Sequence, residues 1–229
     1  MPITAYLDES GTHGRSSRIM VGAIVTLSDA SLHSTVDARV KEIAADNSLW
    51  TSNTKRAEFQ CSGFHHNEDD DTVRDRFIET MRTLDFRAHI CFSRRAFPEL
   101  ADTELLIVMF YSIVRNLLRR YAGQHLDLIF ETNSEMNQFY GPISEHAIRT
   151  LLSSGMRSAT ATACIGTKPS SGLSVVDYML ALTSLKLDGE EGMEIKPFQT
   201  GRFRRVGSHM AHLVDFDQAA HRRRLGRLL

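Results

Sequence analysis

The amino-acid sequence predicts an α/β domain in which helices flank a mixed sheet of about five strands. The first observation is a pair of apolar, β-branched segments, 3–8 and 19–27, joined by a turn-forming stretch, which predicts an antiparallel hairpin. The second is the alternation of helical and strand-like segments that follows, which is typical of a sheet with parallel strands. Because no internal repeat or linker-like segment interrupts this pattern, we expect a single domain over residues 1–229.

The elements after the hairpin are predicted from local periodicity and turn signals. Apolar residues at helical spacing, often after a capping Ser or Asp, predict helices over 29–46, 72–84, 103–121, 138–152 and 173–187. Alternating apolar and polar residues predict strands over 56–62, 86–93, 126–131 and 160–166, of which the first is short. Beyond residue 189 the pattern is irregular until a last helix begins near Gln218.

The composition is that of an ordinary globular protein. Hydrophobic residues make up 42% and charged residues 24% of the 229 residues. The longest strongly apolar run, 105–111, is far shorter than the roughly 20 residues that a membrane-spanning helix needs. The N-terminus lacks a basic start followed by an apolar stretch, and three widely spaced cysteines do not suggest a disulfide framework. We therefore expect a cytoplasmic protein that does not bind membranes.

The formal net charge of −1 conceals a basic C-terminal extension from about residue 200 to residue 229. Its arginines, set against only two acids, are Arg202, Arg204, Arg205, Arg222, Arg223, Arg224 and Arg227. Such a segment could follow a nucleic-acid backbone, because guanidinium groups bind phosphates and displace their counterions. It could equally be a solvated helix face or the contact of a homo-oligomer.

Three acids stand in surroundings that are unusual for surface carboxylates. Asp8, beside Glu9, ends the first strand, and Glu131 ends the strand over 126–131. Asp177 interrupts the helix LSVVDYMLAL, which is apolar nearly all round. Acids are almost never fully buried without a partner. For Asp177 alone, an ion pair with an Arg or Lys, or a helix turned so that it meets solvent, would be a sufficient explanation.

Taken together, the three acids predict a shared cleft. Strand ends that lie side by side, with a helix packed against them, can bring such groups together at one edge of an α/β sheet. Carboxylates in one cleft repel each other unless a divalent cation lies among them, and such oxygen ligands suit Mg²⁺ or Mn²⁺. Two ions of this kind about 4 Å apart can activate a water and stabilise the leaving oxygen when a phosphodiester bond is cleaved.

Two segments resemble a known family. The opening AYLDESG and the later SSGLSVVDYMLA, together with the strand that ends in Glu131, resemble the mostly bacterial family called domain of unknown function 3800, over residues 3–188. Its members typically open with a Tyr-Leu/Ile-Asp-Glu-Ser-Gly strand and end with a helix that carries an Asp-Tyr pair, which Asp177 and Tyr178 match here. The resemblance implies a ribonuclease H-like fold and a metal-dependent nuclease that acts on DNA or RNA.

The resemblance also implies roles for particular residues. Asp8, Glu131 and Asp177 match the metal ligands of the first strand, the fourth core strand and the final helix. A fourth ligand usually lies between these, and Glu58 is the candidate, with Glu9 as the alternative. The competing interpretation is a non-catalytic ribonuclease H-like interaction module that pairs its acids with basic residues.

A second metal site is conceivable in the segment EFQCSGFHHNE. Cys61, His65, His66 and Glu68 are of the residue types that bind zinc. No CxxC pair or second Cys/His pair completes the set, so a zinc site has little support. An exposed surface, or a contact between one of the histidines and a scissile phosphate, is the alternative.

Overall fold

The computed structural model describes residues 3–11, 17–167 and 170–218, and a six-stranded mixed sheet is at its centre. The strands are β1 (Ile3–Ser10), β2 (Ile19–Thr26), β3 (Arg87–Ser93), β4 (His125–Glu131), β5 (Thr160–Gly166) and β6 (Met210–Asp215). They lie in the order β5-β4-β1-β2-β3-β6. Strand β2 is antiparallel to both of its neighbours, and all other neighbouring pairs are parallel.

Helices cover both faces of this sheet. They are α1 (Asp29–Ala45), α2 (Asn53–Ser62), α3 (Asp71–Met81), α4 (Asp102–Arg120), α5 (Asn137–Ser153), α6 (Ser171–Glu190) and α7 (Pro197–Val206). Helices α4 and α5 enclose one hydrophobic core with the sheet, and α1, α3 and α6 enclose the other. Strand β2 is buried along its whole length, which explains why its sequence is apolar almost without alternation.

Helix α6 lies unusually close to the sheet because two glycines leave room for it. A Cβ atom at Gly22 of β2 would lie 2.9 Å from the Leu180 side chain, and one at Gly172 would lie 2.3 Å from the ring of Tyr6 in β1. Both contacts are shorter than the van der Waals distance. The backbone of α6 can therefore approach β1 and β2 only with glycine at these two positions.

The other end of α6 is held by a buried arginine. Arg18, only 1% exposed, lies immediately before β2 and forms ion pairs of 2.5 Å with Asp188 and with Glu191. It also donates a hydrogen bond to the Ser184 carbonyl oxygen. Since one buried charge faces two carboxylates, the interaction fixes the last turns of α6 against the sheet.

The predicted α/β class, with a mixed sheet flanked by helices, is confirmed. The strand expected over 56–62 is wrong, because this segment forms α2. Ser52 caps that helix by accepting a hydrogen bond from the Lys55 backbone N–H, and Gly63 ends it with a positive φ of 71°. The sheet has a sixth strand, β6, in a region expected to be irregular. As a half-exposed edge strand, β6 carries little hydrophobic signal.

The described start of the basic extension is largely neutralised by acids of α3. Arg202 is 2% exposed and forms ion pairs with Asp71 at 2.8 Å and with Asp75 at 3.0 Å. Arg205 contacts Asp75 and Glu79. Arg204 is exposed on α7, and the other four arginines of the extension, Arg222, Arg223, Arg224 and Arg227, lie outside the described residues. In the part of the chain that the structure describes, no helix has the length and apolarity required to cross a membrane.

We expect Gly172→Ala to destabilise the protein by about 1–3 kcal/mol or more, because the new Cβ overlaps the buried Tyr6 ring. Gly201→Ala is the matched control, since its Cβ would have no neighbour within 4 Å and α7 would gain helix propensity of up to about 1 kcal/mol. Urea unfolding followed by circular dichroism measures both. Equal stability of the two variants would show that α6 does not depend on this contact.

Candidate functional site

A cleft of about 560 Å³ lies where β1 and β4 end, beside α6. Its lining is strongly acidic, with Asp8, Glu9, Asp102, Glu131, Glu135 and Asp177. The other lining side chains are neutral, and no Lys or Arg is among the described residues that line it. The three acids that the sequence singled out, Asp8, Glu131 and Asp177, therefore share one cleft together with Glu9, although they come from distant parts of the chain.

Asp8 and Glu131 are brought together by the register of two parallel strands. Leu7 of β1 is aligned with Phe130 of β4, and the two acids follow directly on their strands. Leu7 and Phe130 both belong to the core under α4 and α5. Because side chains alternate along a strand, Asp8 and Glu131 both face the α6 side. Asp8 is only 5% exposed, and its Oδ1 accepts a hydrogen bond of 2.7 Å from the Glu9 backbone N–H.

Asp177 reaches the same cleft from α6. Every other residue from Ser171 to Leu180 is buried, whereas Asp177 is partly exposed. Its Oδ2 accepts a hydrogen bond of 2.9 Å from the backbone N–H of His66. This interaction orients the carboxylate, because the donor belongs to the rigid backbone of the loop that follows α2.

Glu9 is held by a side chain of the loop that follows β4. Its Oε1 accepts a hydrogen bond of 2.5 Å from the Asn133 side-chain amide, and Asn133 itself lines the cleft. Nearby, the hydroxyl of Tyr140 donates to the Glu131 carbonyl oxygen at 3.2 Å. Burial, and then the negative charges of Glu9, Asp8 and Glu131, raise the pKa of Tyr140, so its hydroxyl remains a donor at neutral pH.

The predicted fourth ligand and the predicted zinc-type residues lie outside the cleft. Glu58 is exposed on α2 and is not among the residues that line the cleft. In the zinc-type segment, Cys61 is exposed on the same helix, whereas His66 is buried against the ring of Tyr178 at a centroid distance of 5.1 Å. Burial, followed by the charge of Arg74, lowers the pKa of His66 and keeps the imidazole neutral.

The cleft fits a divalent cation by its donor chemistry but is not preformed as a coordination shell. Its acids provide the oxygen ligands that Mg²⁺ and Mn²⁺ prefer. Across residues 3–11, 17–167 and 170–218, however, no group of three Asp, Glu, His or Cys side chains is arranged so that it could hold an ion. Mutual repulsion is the physical reason to expect separated carboxylates when no cation lies among them.

A buried carboxyl group lies behind Asp177. Asp69 is 8% exposed, and its Oδ2 accepts hydrogen bonds from the Tyr178 hydroxyl and, at 3.0 Å, from the His65 backbone N–H. Burial raises the pKa of Asp69 to about 7, although both hydrogen bonds oppose this shift. The sequence showed Asp69 only as one member of an acidic run, and nothing there distinguished it from its exposed neighbours.

Asp102 and Glu135 are cleft residues that the sequence interpretation did not include. Asp102 begins α4 and pairs with Arg95 at 3.1 Å. Arg95 also donates to the Gly11 carbonyl oxygen at 2.8 Å, and its backbone has a positive φ of 56°. Such a conformation is unfavourable for arginine and is an indication of a constrained position. Arg95 thereby connects the end of β1 to the first turn of α4.

The raised pKa of Asp69 predicts a pH-dependent stability. Between about pH 4 and 7 the folded state binds a proton that the unfolded chain has released, so this group makes the free energy of unfolding fall as the pH rises. In Asp69→Asn both hydrogen-bond donors keep an acceptor, but this contribution disappears. As the pH rises through this range, the free energy of unfolding of the variant should therefore increase relative to that of the wild type by up to about 1.4 kcal/mol per pH unit. Urea unfolding in EDTA measures this difference. A constant difference across the range would contradict the assignment.

Comparisons with known proteins give a likeness in structure that is weak. No family model and no curated protein matches the sequence. Among solved structures, the chain is similar to one in the PCNA:RNase HII complex from Archaeoglobus fulgidus. The sequence identity is 12% and the TM-score is 0.48, over 90% of this chain and 87% of that chain. At this identity the likeness concerns the path of the backbone and assigns no role to any residue.

Proposed function

We propose that this protein is a metal-dependent nuclease that hydrolyses phosphodiester bonds of nucleic acids. The observation that carries the proposal is the convergence of Asp8, Glu131 and Asp177 on one side of the sheet, in a cleft whose charged lining is entirely acidic among the described residues. The resemblance of AYLDESG and SVVDY to domain of unknown function 3800 supports the same activity.

The electrostatics of the cleft favour a cation as the first ligand. Six carboxylates line about 560 Å³. Like charges at such density destabilise each other, and a divalent ion removes this repulsion. A phosphodiester is itself an anion and would be repelled by the same surface without a cation. The cleft therefore suits a substrate that arrives after, or together with, metal ions.

The residues of the chain have distinct parts in this proposal. Asp8, Glu131 and Asp177 would hold Mg²⁺ or Mn²⁺, with Glu9 as a further ligand in place of the exposed Glu58. When bound, two such ions can supply an activated water and stabilise the leaving oxygen. Asn133 keeps the Glu9 carboxylate at the cleft, and the His66 backbone N–H fixes the orientation of Asp177. Both are positioning groups that hold a carboxylate at the cleft.

Metal binding is the first test. We expect the wild-type protein to bind Mn²⁺, as measured by isothermal titration calorimetry, and Asp177→Asn to lose this binding. In EDTA the melting temperature of Asp177→Asn should equal or exceed that of the wild type, because one of several clustered charges has been removed. Glu58→Gln, which changes an exposed acid outside the cleft, should bind Mn²⁺ normally.

The same titration separates the proposal from its alternative. A protein that binds no Mn²⁺ or Mg²⁺ would be better described as a non-catalytic interaction module. A clear loss of melting temperature for Asp177→Asn in EDTA would show instead that Asp177 belongs to a structural ion pair.

Cleavage is the second test. Fluorescent single- and double-stranded DNA and RNA oligonucleotides should be cut in Mg²⁺ or Mn²⁺ and left intact in EDTA. Asp8→Asn should reduce the rate by at least about 100-fold, since the loss of groups that only support a metal ligand already costs 10- to 100-fold. Glu58→Gln should retain the wild-type rate. Undiminished cleavage by Asp8→Asn would point to a contaminating nuclease or a different site and would contradict the proposal.

A further inference from the structure

A second cavity has no lining residue in common with the acidic cleft. It encloses about 320 Å³ between α4 and the neighbouring strands β3 and β6. Its polar lining consists of His89, Ser112, Arg115, Asn116, Arg119 and His212. His89 is aligned with Ala23 of β2, which belongs to the core under α4 and α5. The acidic cleft contacts the first turns of α4 through Asp102, Thr103 and Leu106, whereas this cavity lies along the later turns from Ser112 to Arg119.

The imidazole of His89 forms the floor of this cavity and makes no hydrogen bond within the described chain. His89 is 2% exposed, and neither of its ring nitrogens has a hydrogen-bond partner among the described residues. The buried Nε of Arg115 has none there either. A buried polar atom without a partner costs about 1–3 kcal/mol. Such atoms at the wall of a cavity therefore point to a polar ligand.

The charge of the lining indicates an anion. Arg115 and Arg119 line the cavity together with two histidines, and no Asp or Glu is among the described lining residues. Two acids at the end of β6 have partners of their own, since Asp215 pairs with Arg94 at 2.7 Å and Asp217 accepts hydrogen bonds from Ser93 and from the Arg94 backbone N–H. Arginines in the last turn of a helix also suit its dipole. That effect would account for Arg119, but it explains neither Arg115, a turn earlier, nor His89.

We propose that this cavity binds the phosphate group of a small phosphorylated molecule. Six side chains that can donate hydrogen bonds surround it, more than the two oxygens of a carboxylate would use. Arginine forks match the geometry of phosphate oxygens. The volume lies at the lower end of small-molecule sites, and His89 at the floor can be reached only by a group that enters the cavity. The apolar walls, Ile113 and Val214, would contact the rest of the molecule.

The positions and charges of the lining side chains indicate how the site would bind a phosphate group. His212 and Arg119 are exposed at the mouth, whereas His89 is buried at the floor. Burial, and then the charge of Arg120, lower the pKa of His89 to about 4, so the imidazole is neutral and offers one donor. Burial also raises the pKa of the Cys91 thiol to about 12, which leaves that wall uncharged. The positive charge in the site thus comes from the arginines.

The test uses the full chain with inorganic phosphate, adenosine monophosphate and adenosine as probes. In calorimetric titrations, phosphate and the monophosphate should bind and adenosine should not. Arg115→Gln should weaken binding by at least about tenfold, because a charge-assisted bidentate contact is lost. Arg149→Gln, which changes an exposed arginine of α5 outside the cavity, should bind like the wild type. Binding of phosphate should also shift the imidazole resonances of His89 in NMR spectra, without any measurement of nuclease activity.

Several results would overturn the proposal. One is no binding of either phosphate probe at millimolar concentration. Another is equal weakening by Arg115→Gln and Arg149→Gln, which would indicate non-specific attraction of anions. If Arg115→Gln weakens binding of an oligonucleotide but not of the monophosphate, the arginine contacts a nucleic-acid backbone instead. Ser112→Ala, a small change at the same wall, gives a second variant if Arg115→Gln fails to fold, and unchanged affinity in that variant would also count against the site.

Discussion

The acidic cleft depends on the close contact between α6 and strands β1 and β2. A side chain at Gly22 or Gly172 would push the helix away from the sheet, and Asp177, which lies between the two contact points on α6, would move with it. The Arg18 ion pairs fix the far end of the same helix. Carboxylates must converge within a few ångströms to share an ion, so a displacement of the helix would affect chemistry before it affected the fold.

Around that contact, hydrogen-bond donors of the chain orient the acids. The His66 backbone N–H binds Asp177, the Asn133 amide binds Glu9, and the Glu9 backbone N–H binds Asp8. Each donor is neutral. Neutral donors orient a carboxylate without cancelling its charge, whereas an arginine would compete with a cation for the same oxygens. Arg95, near the cleft, pairs with Asp102 in the first turn of α4.

The sequence predicted those parts of the site that local patterns encode. Asp8 and Glu131 follow directly from strand alternation, and Asp177 is conspicuous in an apolar helix. Asp102 and Glu135 could not be identified in the same way, since they reach the cleft only through the tertiary placement of α4 and of the loop after β4. The error over 56–62 has a physical cause as well. Phe59 is the one buried residue of α2, so hydrophobic periodicity was weak there, and the capping residues Ser52 and Gly63 were the better signal.

Net charge was misleading for this chain because opposite charges are concentrated in different parts of the fold. The net charge of −1 includes six carboxylates in the cleft at the ends of β1 and β4 and the arginines of the cavity between α4, β3 and β6. Several other charges cancel locally, as Arg202 and Arg205 do with the acids of α3. The basic residues expected to hold a nucleic-acid backbone are thus partly committed to folding. Attraction of the described surface for phosphate therefore depends on local groups, such as the arginines of the α4 cavity, and the total charge of the chain does not measure it.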